Sequence, residues 1–306
     1  MTDTPATAKR TWLVFALLTT ALWGVWGALA GLSAQRGFPD TLVYCVWSLT
    51  MIAPAVIVLA REGFKLDRGA RAIAYGLAIG LLGAGGQLIL FRALTTGPAY
   101  LIFPVISLSP VITIALSFLL LRERTNWLGA LGIVLALAAL PLFDFSPQAL
   151  QENAHGEWFG LALLVLAAWG LQAYFIKQAN TLMSAESIFF YMMISGLALA
   201  PIAWFMTDFS QPVNWGWDGP WLAAAIQSLN AVGALMLVYA FRQGQAIVVS
   251  PLVNAAAPLL TALISMALLA VVPGPYKIAG VVLAALASLF LAIAPEKTAA
   301  PKNSSV

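Results

Sequence analysis

Charge is what this sequence has least of. Asp, Glu, Lys and Arg make up 9% of its 306 residues, against 61% hydrophobic residues and a mean hydropathy of +0.91. A soluble domain clothes its surface with about 25% charged residues, so a water-soluble globular fold is excluded. Histidine and cysteine are nearly missing too. The single histidine, His155, falls in a polar loop, and the single cysteine, Cys45, sits inside an apolar stretch. No disulfide framework or thiolate metal cluster can be built from one cysteine, and neither a metal nor a cofactor is expected. No nucleophile–base or metal constellation lies within an apolar run, which argues against an intramembrane enzyme. The net charge of +3 is small, and the basic residues are scattered through short loops. That pattern fits membrane orientation and not nucleic-acid binding. No small-residue cleavage site of the A-x-A kind follows the polar start, so the first apolar run reads as a retained span.

What is abundant is apolar length. A hydrocarbon core of about 30 Å takes about 20 apolar residues per helix. Ten runs between charged or Pro/Gly-rich breaks meet this, at roughly 12–34, 41–60, 72–92, 98–121, 127–143, 158–178, 185–206, 220–241, 246–270 and 276–294. They are numbered spans 1 to 10. Span 5 is short, and its end near Pro141 is the least defined boundary. The expected class is an all-α membrane protein whose partners are the lipid bilayer and a small-molecule substrate. Nothing in the composition separates monomer from homodimer.

Loop charge orients the spans. With the N-terminus in the cytoplasm, twelve of the fifteen basic residues fall inside: Lys9, Arg10, Arg61, Lys65, Arg68, Arg71, Arg122, Arg124, Lys177, Arg242, Lys297 and Lys302. Arg36, Arg92 and Lys277 remain outside. The two longest outer loops, around 144–157 and 207–219, hold Asp144, Glu152, Glu157, Asp208 and Asp218 and no Lys or Arg. The excess follows the positive-inside rule, and a miscounted span would scramble it. A bacterial inner membrane with both termini cytoplasmic is the expected setting.

Sliding the chain on itself by 146–148 residues aligns several unusual residues. Trp23-Gly24 meets Trp169-Gly170, Asp40 meets Glu186, Pro54 meets Pro201, and Gly85 meets Gly233. Pro110 meets Pro258, Thr113 with Ser117 meets Thr261 with Ser265, and Gly132 meets Gly280. The expected organisation is a tail at 1–11, a first five-helix repeat at 12–145, a second at 158–294, and a tail at 295–306. An odd number of helices per repeat inverts the second in the membrane. Such inverted repeats are the usual basis of alternating access.

Prolines inside spans free backbone carbonyls, which lipid does not satisfy. Span 4 carries Pro104 and Pro110, and span 9 carries Pro251 and Pro258. Two doubly interrupted spans in corresponding positions point to a central site with these four as hinges, although simple packing kinks would use the same residues. Ser107, Ser109, Thr113, Asn254 and Thr261 cluster around them. Amides are costly to bury, so Gln87, Gln172, Gln227, Asn230 and Asn254 either line a cavity or bind helices together. Trp12, Trp127, Trp158 and Trp221 stand at span ends, where interfacial anchoring explains them. Trp23 and Trp169 stand near mid-span. With Trp26, Tyr44 and Trp47 they would wall an apolar cavity, or pack as core. The candidate substrate-binding set is Trp23, Trp26, Tyr44, Gln87, Ser107, Trp169, Gln172, Asn230 and Asn254. Arg92, Arg242 and Lys177 end their spans within snorkelling reach of water. Asp40 and Glu186 begin spans 2 and 7, where an acid complements the helix N-terminus.

Trp23-Gly24 in span 1, the stretch Ala93 to Pro110, Glu123 after span 4, Gly132 in span 5 and the recurrence of this pattern give the chain its family likeness. It resembles the drug/metabolite transporter superfamily, in its ten-helix EamA-type branch, from about residue 12 to 294. Two places depart from that pattern. The family often has an arginine early in its second helix, where this chain reads Tyr44-Cys45-Val46-Trp47, and an acid after its ninth, where Val271-Val272-Pro273-Gly274 stands. The resemblance implies a secondary carrier that exports a small neutral or zwitterionic metabolite, amino acid or drug-like solute through a cavity between the repeats. The same fold would serve as an uptake carrier for a sugar or other nutrient. A channel would call for a carbonyl filter or a ring of charge from symmetric subunits.

Overall fold

The computed structural model describes residues 10–97, 99–143, 156–269 and 274–294. His155, Asp144, Glu152, Val271-Val272-Pro273 and nearly all of both expected tails lie outside them. The regular elements among the described residues are all helical. The first half runs α1 (Thr11–Leu29), α2 (Leu32–Gln35), α3 (Asp40–Thr50), α4 (Ile52–Arg61), α5 (Ala70–Thr96), α6 (Ala99–Ile106), α7 (Ser109–Leu119) and α8 (Trp127–Leu142). The second runs α9 (Glu157–Ala179), α10 (Ala185–Phe205), a π-helical turn (Trp217–Trp221), α11 (Leu222–Gln243), α12 (Ala246–Leu269) and α13 (Pro275–Ile293). Among the described residues nine helical stretches are long and apolar enough to cross a membrane, and α8, at 16 residues, is a shorter tenth. These are two inverted five-helix repeats of an all-α membrane protein.

The halves interlock and do not stand side by side. In each, the first helix packs on the third of the other half: α1 on α11, and α9 on α5. It also packs on the other half's fourth span, α1 on α12 and α9 on α7. The fifth helices, α8 and α13, pair with each other. The same hydrogen bond then occurs twice. Thr113 Oγ1 donates to Gly170 O at 3.0 Å, and its mate Thr261 Oγ1 donates to Gly24 O at 3.0 Å. Trp23 Nε1 donates to Asn230 O at 3.2 Å, and Trp169 Nε1 to Gly83 O at 3.3 Å. Threonine and tryptophan can bond a neighbour's carbonyl only where backbones approach closely, which the small residues at these crossings permit.

Three expectations change. Trp127 and Trp221 are exposed at 76% and 61%, as interfacial anchors should be, but Trp12 and Trp158 are buried at 4% and 6%. Each of those two packs on the glycine that ends a helix of the other half, Gly244 and Gly97; a Cβ at Gly97 would collide with the Trp158 indole, and one at Gly244 would collide with Val249 and crowd Trp12. Second, of spans 4 and 9 only span 4 is interrupted. α6 and α7 separate at Ser107-Leu108, whereas α12 runs unbroken through Pro251 and Pro258. At a spacing of seven the two lost bonds of α12 share one stripe of the helix; at six, Pro104 and Pro110 open different sides. Third, the repeat mate of Gly233 is Gly86 and not Gly85. Trp23 packs on the one and Trp169 on the other, each Nε1 lying 2.5 Å from where a Cβ would stand.

Candidate functional site

Where the first, third and fourth spans of both halves converge, they enclose a cavity of about 340 Å³. That is in the range of small-molecule sites, about 300–1,000 Å³. Its apolar wall is built from Trp23, Trp26, Trp47, Met51, Trp169 and Phe241. Polar groups enter from five helices: Gln87 on α5, Ser109 and Thr113 on α7, Gln172 on α9, Asn230 on α11, and Ser250, Asn254 and Thr261 on α12. Among the described residues no Asp, Glu, Lys, Arg or His lines it.

Some of these polar groups are already spent on the protein. Trp26 Nε1 donates to Gln227 Oε1 at 3.2 Å, which also takes Asn230 Nδ2 at 3.4 Å. Asn254 Nδ2 donates to Ser250 O at 2.9 Å. Others are not. Among the described residues the side chains of Gln87 and Gln172 make no hydrogen bond to the protein, and the buried Trp47 Nε1 has no acceptor. Pro258 has no N–H, so the Asn254 carbonyl lacks its in-helix partner. The wall therefore presents both donors and acceptors that want a partner, inside an apolar, uncharged enclosure.

Seven of the nine candidate binding residues stand on this wall: Trp23, Trp26, Gln87, Trp169, Gln172, Asn230 and Asn254. Tyr44 does not. Its ring is buried, 1% exposed, against Trp47 and Phe91, and its hydroxyl donates to Gly196 O at 3.3 Å. Ser107 does not either. At the α6–α7 break Leu108 N donates to Val105 O, and Ser107 Oγ bonds the Pro104 carbonyl left over, at 2.8 Å. Of the four prolines, Pro258 lines the cavity. Gln227 is a helix-to-helix acceptor, not a wall residue. Ser250, Met51, Met192 and Phe241 join the wall without having been singled out. Ser250 had a signal, since it precedes Pro251; the others are ordinary apolar residues whose facing the sequence does not reveal.

At one end the cavity is floored by Ile176, Phe241 and Ser250. Directly beyond Ile176 lies Lys177, which does not snorkel to water. Its Nζ donates to the carbonyls of Phe241 (3.0 Å) and Gly244 (2.5 Å) at the end of α11, and lies 4.0 Å from Glu123 Oε1. Glu123 Oε2 accepts the Ile247 N–H at 2.9 Å, in the first turn of α12. Burial pushes the Glu123 carboxyl above the ordinary glutamate range, opposed by the N–H groups of Ile247 and Ala246 and by Lys177. On the same end Asp67, between α4 and α5, caps α10. Its Oδ2 accepts Ser184 N at 2.8 Å, Ser184 Oγ at 2.9 Å and Ser187 Oγ at 3.0 Å. These bonds, the Ser184 N–H above all, hold the Asp67 carboxyl below the usual aspartate range. At the other end the ion pairs are open to solvent: Arg36–Asp218 (3.3 Å) and Arg92–Glu157 (3.4 Å), with side chains 48–59% exposed.

Comparison with known proteins accords with this architecture. The model of the EamA-like transporter family matches the chain twice, at residues 10–143 and 157–293. An uncharacterized protein of Methanocaldococcus jannaschii is 26% identical over 134 residues, which are 44% of this chain and 96% of that protein. That relative is thus about one repeat long. A solved chain titled only as the crystal structure of a protein superposes with a TM-score of 0.72 at 17% identity, covering 92% of this chain and 98% of its own. At that identity it speaks for the fold alone.

Proposed function

Because this chain belongs to the EamA-like transporter family, and is with it a multi-pass membrane transporter of the drug/metabolite transporter superfamily, we propose that it is a secondary carrier exporting a small neutral or zwitterionic metabolite by alternating access. Its setting in this reading is a bacterial inner membrane, with both termini and the Lys177 end in the cytoplasm. One observation carries the reading: an uncharged cavity between inverted halves, walled by indoles, with the Gln87 and Gln172 amides unspent. A solute with donors and acceptors on an apolar body satisfies those groups. A strongly charged one finds no countercharge and carries an uncompensated desolvation cost. The inverted halves offer the two equivalent arrangements that alternate exposure requires.

Metabolite profiling of cells with and without the protein identifies the solute. Accumulation inside cells lacking the protein fits export, and depletion there reverses the direction. With that solute, Trp23→Ala, Gln87→Ala and Asn254→Ala each lower the initial transport rate about tenfold, as expected for losing one polar or indole contact, while the protein stays folded in the membrane. Wild-type rates in all three variants would remove this cavity from the pathway.

A further inference from the structure

The Glu123–Lys177 pair belongs neither to the cavity wall nor to a solvated surface. The Glu123 side chain is 9% exposed and that of Lys177 20%, far below the other ion pairs among the described residues. The chain is bent to deliver Glu123: Arg122 adopts a positive φ of 55°, and Glu123 N bonds back to Ser117 O at 3.0 Å. Its flanks Arg122 and Arg124 stay exposed, so it is the acid that is turned inward. Each partner also meets the helix end that suits its sign. The carboxylate takes the free N–H groups that open α12, and the ammonium takes the carbonyls that close α11. The α11–α12 elbow is thereby tied to α9 just beneath the cavity floor.

At the corresponding positions the sequence of the other half carries no charge. Shifting by 147 residues places Ala30 opposite Lys177 and Ala270 opposite Glu123. The two ends of a pseudo-symmetric molecule therefore differ in charge at these positions.

We infer that Glu123 and Lys177 are the lock of the cavity at this end, holding the α11–α12 elbow against α9 and parting when the cavity opens there. The inference rests on the alternating-access reading above. It makes these two residues gate residues, while the solute is held by the uncharged wall.

The test uses the full-length protein in oriented proteoliposomes, with Cys45→Ser as background and Ala234→Cys, on the cavity wall, as reporter. A membrane-impermeant maleimide is applied from either face. In the otherwise unaltered protein the reporter is expected to react from both faces, and labelling from one face only would contradict the carrier reading itself. Glu123→Ala raises the labelling rate from the Lys177 face about tenfold, as expected for breaking a buried pair, and lowers it from the opposite face. Lys177→Ala does the same, and settles the matter if Glu123→Ala does not fold. Glu123→Gln, whose amide oxygen still accepts the Ile247 N–H but which leaves Lys177 without its countercharge, raises the rate less than Glu123→Ala does. The exchanged pair, Glu123→Lys with Lys177→Glu, does not restore the parent rate, because each charge then meets the wrong helix end. A merely structural ion pair would leave the ratio of labelling from the two faces unchanged in both alanine variants. Two-faced labelling that neither alanine variant alters would overturn the lock and leave the carrier reading standing.

Discussion

Two indoles decide two glycines. Trp169 lies over Gly86 and Trp23 over Gly233, with Nε1 of each 2.5 Å from where a Cβ would be, and that Nε1 is the donor in the paired bonds to Gly83 and Asn230. Gly86→Ala and Gly233→Ala must therefore displace an aromatic wall residue, at a cost of roughly 1–3 kcal/mol each. Gly85→Ala meets its nearest atom at 4.0 Å, and stabilises the helix by up to about 1 kcal/mol. Thermal unfolding in detergent would show two lowered midpoints and one unchanged or raised; equal behaviour at 85 and 86 would contradict the packing. This is a detail that sequence comparison misses, because adjacent glycines align equally well at shifts of 147 and 148. The amides fared differently. Gln87, Gln172, Asn230 and Asn254 are conspicuous in an apolar run, and burial in lipid leaves them few places to go but a cavity or a helix contact. Tyr44 illustrates the limit. An amphipathic ring satisfies itself with one carbonyl, here that of Gly196, so its presence in a span does not say which way it faces.

At the scale of helices, hydropathy locates the spans well because lipid demands continuous apolar length. It says little about how a proline is absorbed. The break at Ser107-Leu108 and the continuity of α12 depend on spacing and on side chains such as Ser107 that take up a stranded carbonyl. Helix ends are likewise set by partners distant in sequence. Asp67 caps α10 from 117 residues away, and Lys177 reaches the end of α11 across 64, so neither role is visible locally. The Asp67 cap has a pH signature. A carboxyl held below its ordinary value of 3.8 contributes stability in full above that value and loses it as pH falls through the depressed one. Wild-type protein in detergent should therefore lose stability relative to Asp67→Asn as pH drops below about 4, and Asp67→Ala should cost roughly 1 kcal/mol at neutral pH, as lost caps do. Parallel acid profiles for wild type and Asp67→Asn would contradict the cap.

For the molecule as a whole, inversion follows from five spans per half, and the interlocking of first with third and fourth spans places the cavity where the halves meet. The charge asymmetry of the two ends supports the orientation proposed above. A reporter fused to the C-terminus should be active in the cytoplasm, and periplasmic activity would contradict the proposed orientation. The central claim is that this cavity carries a solute by facing each side in turn. Counterflow in proteoliposomes tests it most directly, using the solute identified by profiling. The account predicts a saturable entry rate that rises when the same solute is preloaded inside. A rate that climbs without saturation and ignores the preloaded solute would describe an open channel and contradict it.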